Sequence, residues 1–383
     1  MRRVEFYRHN LGPGDADGVA RVLDSLFLTT GQATEEFEQR FAALLQAEHA
    51  VALTSCTAAL HLALLGLGVR RGDEVITTPM TFVATANAIL HASASPVFAD
   101  VEPETGNLSP EQVERAITPR TKAIIAVHLY GQMCDMRALR AIADRHGLVL
   151  VEDAAHALEA TRDGLRPGRL SDAACFSFYA TKSVTSGEGG ALVTDNSALA
   201  LRVKKLRLHG IDADAANRYH QRYRHWDMEE YGWKYNMDNI HAALLLPQLE
   251  RIEERWRRRE EIARRYEAAF SGIEGVTFPR VLPGSRSGRH LFTIWVDAGE
   301  RDDVLARLQD TGIGVAVNYR AVHLLRYYRQ TYGYREGMFP VAEDIGNRTI
   351  SLPLYPRLTD DEVAYVINGV RHGVGRPRRL PQA

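Results

Sequence analysis

The sequence predicts an α/β protein in two unequal parts, a large domain over residues 1–250 with a mixed, mostly parallel sheet flanked by helices and a smaller α+β domain over 251–383. Three observations predict it. The chain has 383 residues, more than the roughly 250–300 at which single cores stop growing. Between about residues 50 and 195, short apolar runs bounded by turns alternate with amphipathic stretches, as repeated strand–helix units do. A long charged helical pattern then leads into mixed strand and helix signals.

The elements follow in chain order. Ala52-Leu53-Thr54-Ser55-Cys56-Thr57-Ala58 reads as a short strand turning into a helix, with Thr57 at the N-cap. Strands rich in Val, Ile or Phe are expected at Glu74–Thr77, Pro96–Asp100, Ala123–His128, Leu148–Glu152, Ala174–Phe178 and Ala191–Thr194. Ser109-Pro110-Glu111-Gln112 joins a capping hydroxyl, a first-turn proline and a glutamine, so a helix starts there and runs to about Ile117. Gly147 ends the helix that holds Leu139 and Ile142. From Asn239 to Phe270 a single helix is expected, with Leu249, Ile252, Trp256, Ile262, Tyr266 and Phe270 on one face. Its Arg257-Arg258-Arg259 block, set among glutamates, reads as a solvated face laced with ion pairs. Leu291–Val296 reads as a strand, and Thr359-Asp360-Asp361-Glu362 as a capping box before the last helix.

Composition narrows the class of function. Charged residues make up 25%, hydrophobic ones 45%, and the formal net charge is -1, which gives no footprint for nucleic acid or a membrane surface. The N-terminus lacks the apolar segment of a signal peptide, and no run approaches the roughly 20 apolar residues that span a bilayer. A cytoplasmic location is expected. Three cysteines, no CxxC and no histidine cluster at ligand spacing point away from a disulfide framework and from a zinc site.

Ligands of open α/β sheets sit outside the carboxyl ends of the strands, and three strand ends carry chemistry. Asp153 closes the apolar run Leu148-Val149-Leu150-Val151-Glu152. A carboxylate delivered there is partly desolvated and calls for a cation; a protonated pyridine nitrogen suits it, and a cap on the following helix is the plainer alternative. Phe176-Ser177-Phe178-Tyr179-Ala180-Thr181-Lys182 runs into Gly187-Glu188-Gly189-Gly190. Lys182 is the candidate for a Schiff-base amine, and the glycines allow close backbone approach; read alone, such a lysine is far more often a solvated loop residue. At the third strand end the Thr57 hydroxyl and the Ala58 amide are candidate phosphate donors at a helix start.

Taken together, the Thr57-Ala58 helix start, Thr81-Phe82-Val83-Ala84-Thr85, Glu152-Asp153-Ala154-Ala155-His156-Ala157, the Phe-Ser-Phe-x-x-x-Lys loop with Gly-Glu-Gly-Gly, and Tyr235-Asn236-Met237-Asp238 resemble the DegT/DnrJ nucleotide-sugar aminotransferases, in family order from about Thr30 to Val370. The resemblance implies a fold-type-I aminotransferase dependent on pyridoxal 5'-phosphate, acting as a homodimer with sites shared between subunits. It implies that Lys182 carries the cofactor, that Asp153 partners its pyridine nitrogen, that Phe82 stacks on its ring, and that Ser177, Thr57 and Ala58 hold its phosphate. Asn236 matches the asparagine that the neighbouring subunit adds to that phosphate. His156 is a further candidate cofactor contact; it stands where many relatives have glutamine, and the Ala-Ala-His-Ala form looks like the branch that aminates sugar C4. Cys56 and Glu159 occupy positions that are commonly small in relatives. Asn318-Tyr319-Arg320-Ala321-Val322-His323 resembles the loop over the sugar site, which makes Tyr319, Arg320 and His323 candidate substrate contacts.

The implied reaction takes an amino group from a donor, L-glutamate, to a nucleotide-linked keto sugar, a 4-keto-6-deoxy sugar at C4, with a C3 aminotransferase as the alternative. A dehydratase of the same fold has histidine in place of Lys182. A non-catalytic regulator would need a DNA-binding or partner-binding module, and no helix-turn-helix extension or basic stretch is present.

Overall fold

A computed structural model of the chain describes residues 2–211 and 225–374. Seven strands form the central sheet: β1 (His49–Leu53), β2 (Glu74–Thr77), β3 (Ser95–Phe98), β4 (Thr121–Val127), β5 (Val149–Asp153), β7 (Ala173–Ser177) and β8 (Gly190–Thr194), with the short β6 (Thr161–Arg162) outside it. They lie in the order β1-β8-β7-β5-β4-β2-β3. All run parallel except β8, which is antiparallel to both neighbours. Strands expected from Val, Ile and Phe content thus form within about two residues of the expected bounds, because a sheet covered on both faces demands continuous apolar runs.

Local chemistry sets the helix ends. Ser109 accepts from the Gln112 amide at 3.4 Å, Pro110 opens the helix Pro110–Ala116, and Gly147 at φ 62 closes Met136–His146. The capping box at Thr359 and Glu362 forms with both bonds in place, 2.9 and 3.2 Å. The helix start after β1 differs from expectation. Ser55, not Thr57, is its N-cap, accepting from Ala58 at 3.1 Å, and the helix runs Cys56–Gly66.

The expected single helix over Asn239–Phe270 is two, Asn239–Leu249 and Ile252–Phe270. Pro247 has no amide to offer the carbonyl one turn back, and Arg251 at φ -105, ψ 8 steps out of the ladder to pair with buried Asp15. The arginine block divides as well. Arg257 is exposed beside Glu253, and Arg258 binds Glu261 and Asp360. Arg259 turns inward, buried against Glu159 at 2.6 Å. Consecutive helical residues are spread about 100° apart, so three cannot share one solvent face.

Apolar clusters cover both faces of the sheet, one centred on Phe37, Phe41, Phe176 and Phe178, the other on Leu60, Leu62, Val75 and Ile125. A further core gathers Ile262, Tyr266, Phe270, Val363 and Val366 around the antiparallel pair β10 (Phe292–Trp295) and β11 (Thr349–Leu352), which follow the short β9 (Ser285–Arg286). Val4 packs into that same core, tied by its backbone to Gly312 and Gly314 at 2.9 and 2.8 Å. Among the described residues no helix is long and apolar enough to cross a membrane, and no group of side chains could hold a metal ion.

Candidate active site

The carboxyl ends of β1, β4, β5 and β7 meet at one rim of the sheet. Because β8 runs the other way, its amino end arrives at that rim too, where Gly190 pairs with both Leu53 and Ser177. The approach leaves no room for a side chain: a Cβ on Gly190 would stand 2.2 Å from the Ser55 carbonyl carbon. Above this rim opens a cavity of about 570 Å³, a size that suits a cofactor and a small substrate.

Asp153 lies at its floor, delivered by β5. The Thr85 hydroxyl donates to Oδ2 at 2.7 Å, the Ala155 amide donates to Oδ1 at 3.2 Å, and Thr81 stands 2.7 Å behind Thr85. These bonds fix the carboxylate and leave lone pairs for a cation. Cys56 Sγ lies 3.8 Å from Oδ1; burial, then the Asp153 charge, push that thiol well up, so it stays protonated.

Lys182 faces the same cavity from the loop between β7 and β8. Burial pulls its pKa down to about 8, against the opposing pull of Asp153. A measurable fraction of the amine is therefore a free nucleophile at neutral pH. Its Nζ lies 3.4 Å from His290 Nε2, and the His290 ring stacks beside His156 at 4.3 Å between centroids. Burial and the Lys182 charge hold both imidazoles well below their ordinary pKa. Tyr319 completes this wall, its hydroxyl 3.3 Å from His156 Nε2.

Thr57, Phe82 and Ser177 also line the cavity, with Phe82 59% exposed at the start of the helix Val83–His91. An exposed aromatic ring at a cavity edge is available to stack on a flat ligand. Together the amine, the fixed carboxylate, the ring and the hydroxyls at a helix start fit pyridoxal phosphate by donor type.

Four sequence candidates lie outside this lining. The Ala58 amide is already taken by Ser55. Asn236 is buried, donates to Thr30 at 2.7 Å and accepts from Lys234. Arg320 is exposed. His323 is fully buried beneath the loop, 2.9 Å from Glu343, which also accepts from the Gly337 and Phe339 amides. It is a strut of the loop and does not touch the cavity, because the short 3-10 turn Val322–Leu324 rotates it into the core. Sequence reasoning missed His290, Thr85 and the cavity-lining Phe6 and Tyr7. The Thr81 and Thr85 spacing, one helical turn, was a usable signal; His290 had none, since the fold alone brings it to Lys182.

The family model for the DegT/DnrJ/EryC1/StrS aminotransferases matches residues 11–371. The spore coat polysaccharide biosynthesis protein SpsC of Bacillus subtilis is 45% identical over 380 residues, covering 97% of this chain and 98% of that protein. Among solved structures, the putative sugar aminotransferase Spr1654 of Streptococcus pneumoniae in its PMP form superposes with a TM-score of 0.92 at 32% identity, covering 97% and 99% of the two chains. DesV of S. venezuelae, in complex with a ketimine intermediate, gives a TM-score of 0.88 at 38% identity over 95% of each chain.

Proposed function

The chain belongs to the DegT/DnrJ/EryC1/StrS aminotransferase family, and on that premise we propose that it aminates a nucleotide-linked keto sugar, a 4-keto-6-deoxy sugar at C4, with L-glutamate as the donor. That it is an enzyme, a sugar aminotransferase dependent on pyridoxal phosphate, follows from its family and its structural neighbours. The observation that carries the residue assignment is the meeting of Lys182 and Asp153 in one cavity.

Bound pyridoxal phosphate supplies an electron sink next to the substrate's amine-bearing carbon. In this reading Lys182 would hold the cofactor, and its amine would move the proton at the donor's α-carbon. Asp153, held by Thr85 and Ala155, would keep the pyridine nitrogen protonated. Phe82 would stack on the ring, and Thr57 and Ser177 would receive the phosphate. His156 would be a further contact of the cofactor, Tyr319 would face the substrate, and exposed Arg320 is free to meet a diphosphate. Asn236 would be offered to the phosphate of a second subunit, and the working form would be a homodimer. The reading keeps residues 1–250 as the cofactor domain and 251–383 as the smaller one, and puts the enzyme in the cytoplasm. The C4 assignment rests on His156 within Ala-Ala-His-Ala.

The test is spectroscopic. The cofactor chromophore should bleach with L-glutamate and recover with a nucleotide-linked 4-keto sugar. Bleaching with recovery only on 3-keto sugars moves the site of amination to C3. No response to any amino donor refutes the assignment of Lys182 and Asp153.

A further inference from the structure

We propose that His290 is a positioning residue for the Lys182 amine, a neutral acceptor that aims the amine whenever it is free of the cofactor. The inference rests on the reading that Lys182 carries the cofactor. Its geometric basis is the 3.4 Å contact between Lys182 Nζ and His290 Nε2, the hydrogen bond that the amine makes among the described residues. An amine with three rotatable donors on a four-carbon stem has no preferred direction of its own. Here one donor is committed sideways, which turns the lone pair of the neutral amine toward the cavity.

The segment around His290 is fastened from both parts of the molecule. From the sheet side, Gly131 accepts from the Gly288 amide at 2.8 Å, and Gly288 lies so close to the His156 carbonyl that a Cβ would stand 2.9 Å from it. From the helix Ile252–Phe270, the Trp256 indole donates to the Ser287 carbonyl at 2.8 Å, and Glu260 and Glu267 hold Arg289 at 2.6 and 2.7 Å. Arg259 donates to the Gly288 carbonyl at 3.3 Å while paired with Glu159. The groups facing the imidazole are cations or neutral: Lys182, His156 and Arg259. Burial among them keeps the ring uncharged and so able to accept. Glu159 balances the buried Arg259 and lets that cation stand there.

The experiment follows capture of pyridoxal phosphate by the cofactor-free protein, read as the rate of the absorbance change at about pH 9.5, where an amine of pKa about 8 is deprotonated. His290→Gln keeps an acceptor of similar reach, and His290→Asn retracts it by one methylene. We expect capture about tenfold slower in His290→Asn and within about threefold of wild type in His290→Gln, a misaim rather than a lost group. Circular dichroism and urea unfolding accompany both variants. Equal rates in the two variants overturn the proposal. A wild-type protein and a Lys182→Ala variant that respond alike to pyridoxal phosphate refute instead the reading on which it rests.

Discussion

Replacing Lys182 by methionine is expected to make the cofactor-free protein more stable at neutral pH. Burial lowers the amine from 10.5 to about 8. That lowering corresponds to about 3 kcal/mol by which the fold disfavours the protonated amine. The side chain is only partly buried and opens on to the cavity, so water recovers some of this, and the expected gain is about 1–3 kcal/mol. The sign follows from proton binding. Below pH 8 both folded and unfolded chains carry the proton, and the full penalty applies. Between about 8 and 10.5 the unfolded chain binds more protons than the folded one, so wild-type stability climbs with pH and the advantage of methionine fades. The assay is urea unfolding of both cofactor-free proteins from pH 7 to 11. A gap of the same size at both ends of that range, or a methionine variant less stable at pH 7, refutes burial of the amine as the source of its depressed pKa.

Three further expectations concern other residues. Asp153→Asn should still capture the cofactor but slow the half-reaction with an amino donor by about 10²–10³-fold in stopped-flow absorbance, since it removes one preorganised charge. Arg259→Met should lower urea stability by about 3–5 kcal/mol by leaving Glu159 buried and unpaired, and adding Glu159→Gln should return much of the loss; a double variant as weak as the single one contradicts this account of the pair. His323→Leu should destabilise by about 1–3 kcal/mol by removing one of the partners of Glu343, with the donor half-reaction unchanged; a selective rise in the KM for keto sugar without loss of stability would return His323 to the substrate.

The parts of this molecule legible in sequence are those decided within a few residues. Ser109 with Pro110, Gly147, and the Thr359 box each fix a helix end by contacts one turn away, and the buried strands announce themselves as unbroken apolar runs. Asp153 and Lys182 stand out in the sequence because strand ends are where α/β sheets bind ligands, and the structure brings the two to one cavity. Illegible were features made by partners far apart in the chain. Arg259 meets Glu159 across 100 positions and His290 meets Lys182 across 108, so nothing local marks either. His323 went astray for the same reason: its neighbour Glu343, not its place in a loop motif, decides where it points. The displaced cap at Ser55 was a local error, since Ser55 and Thr57 are both good capping residues and only the closeness of Gly190 to Ser55 singles out the first.

The reversed direction of β8 has a consequence for how this enzyme tolerates change. A strand that continued in parallel would need a crossover helix, and Lys182 would hang from one end of a long excursion. Here residues 178–189 form a short span with an abutment at each end, at Ser177 and Gly190, which are themselves paired. The height of the reactive nitrogen above the sheet is thereby locked to strand register. Helices on either face can drift, lengthen or be exchanged without lifting it, whereas inserting a single residue into the span would move the amine while every strand stayed in place.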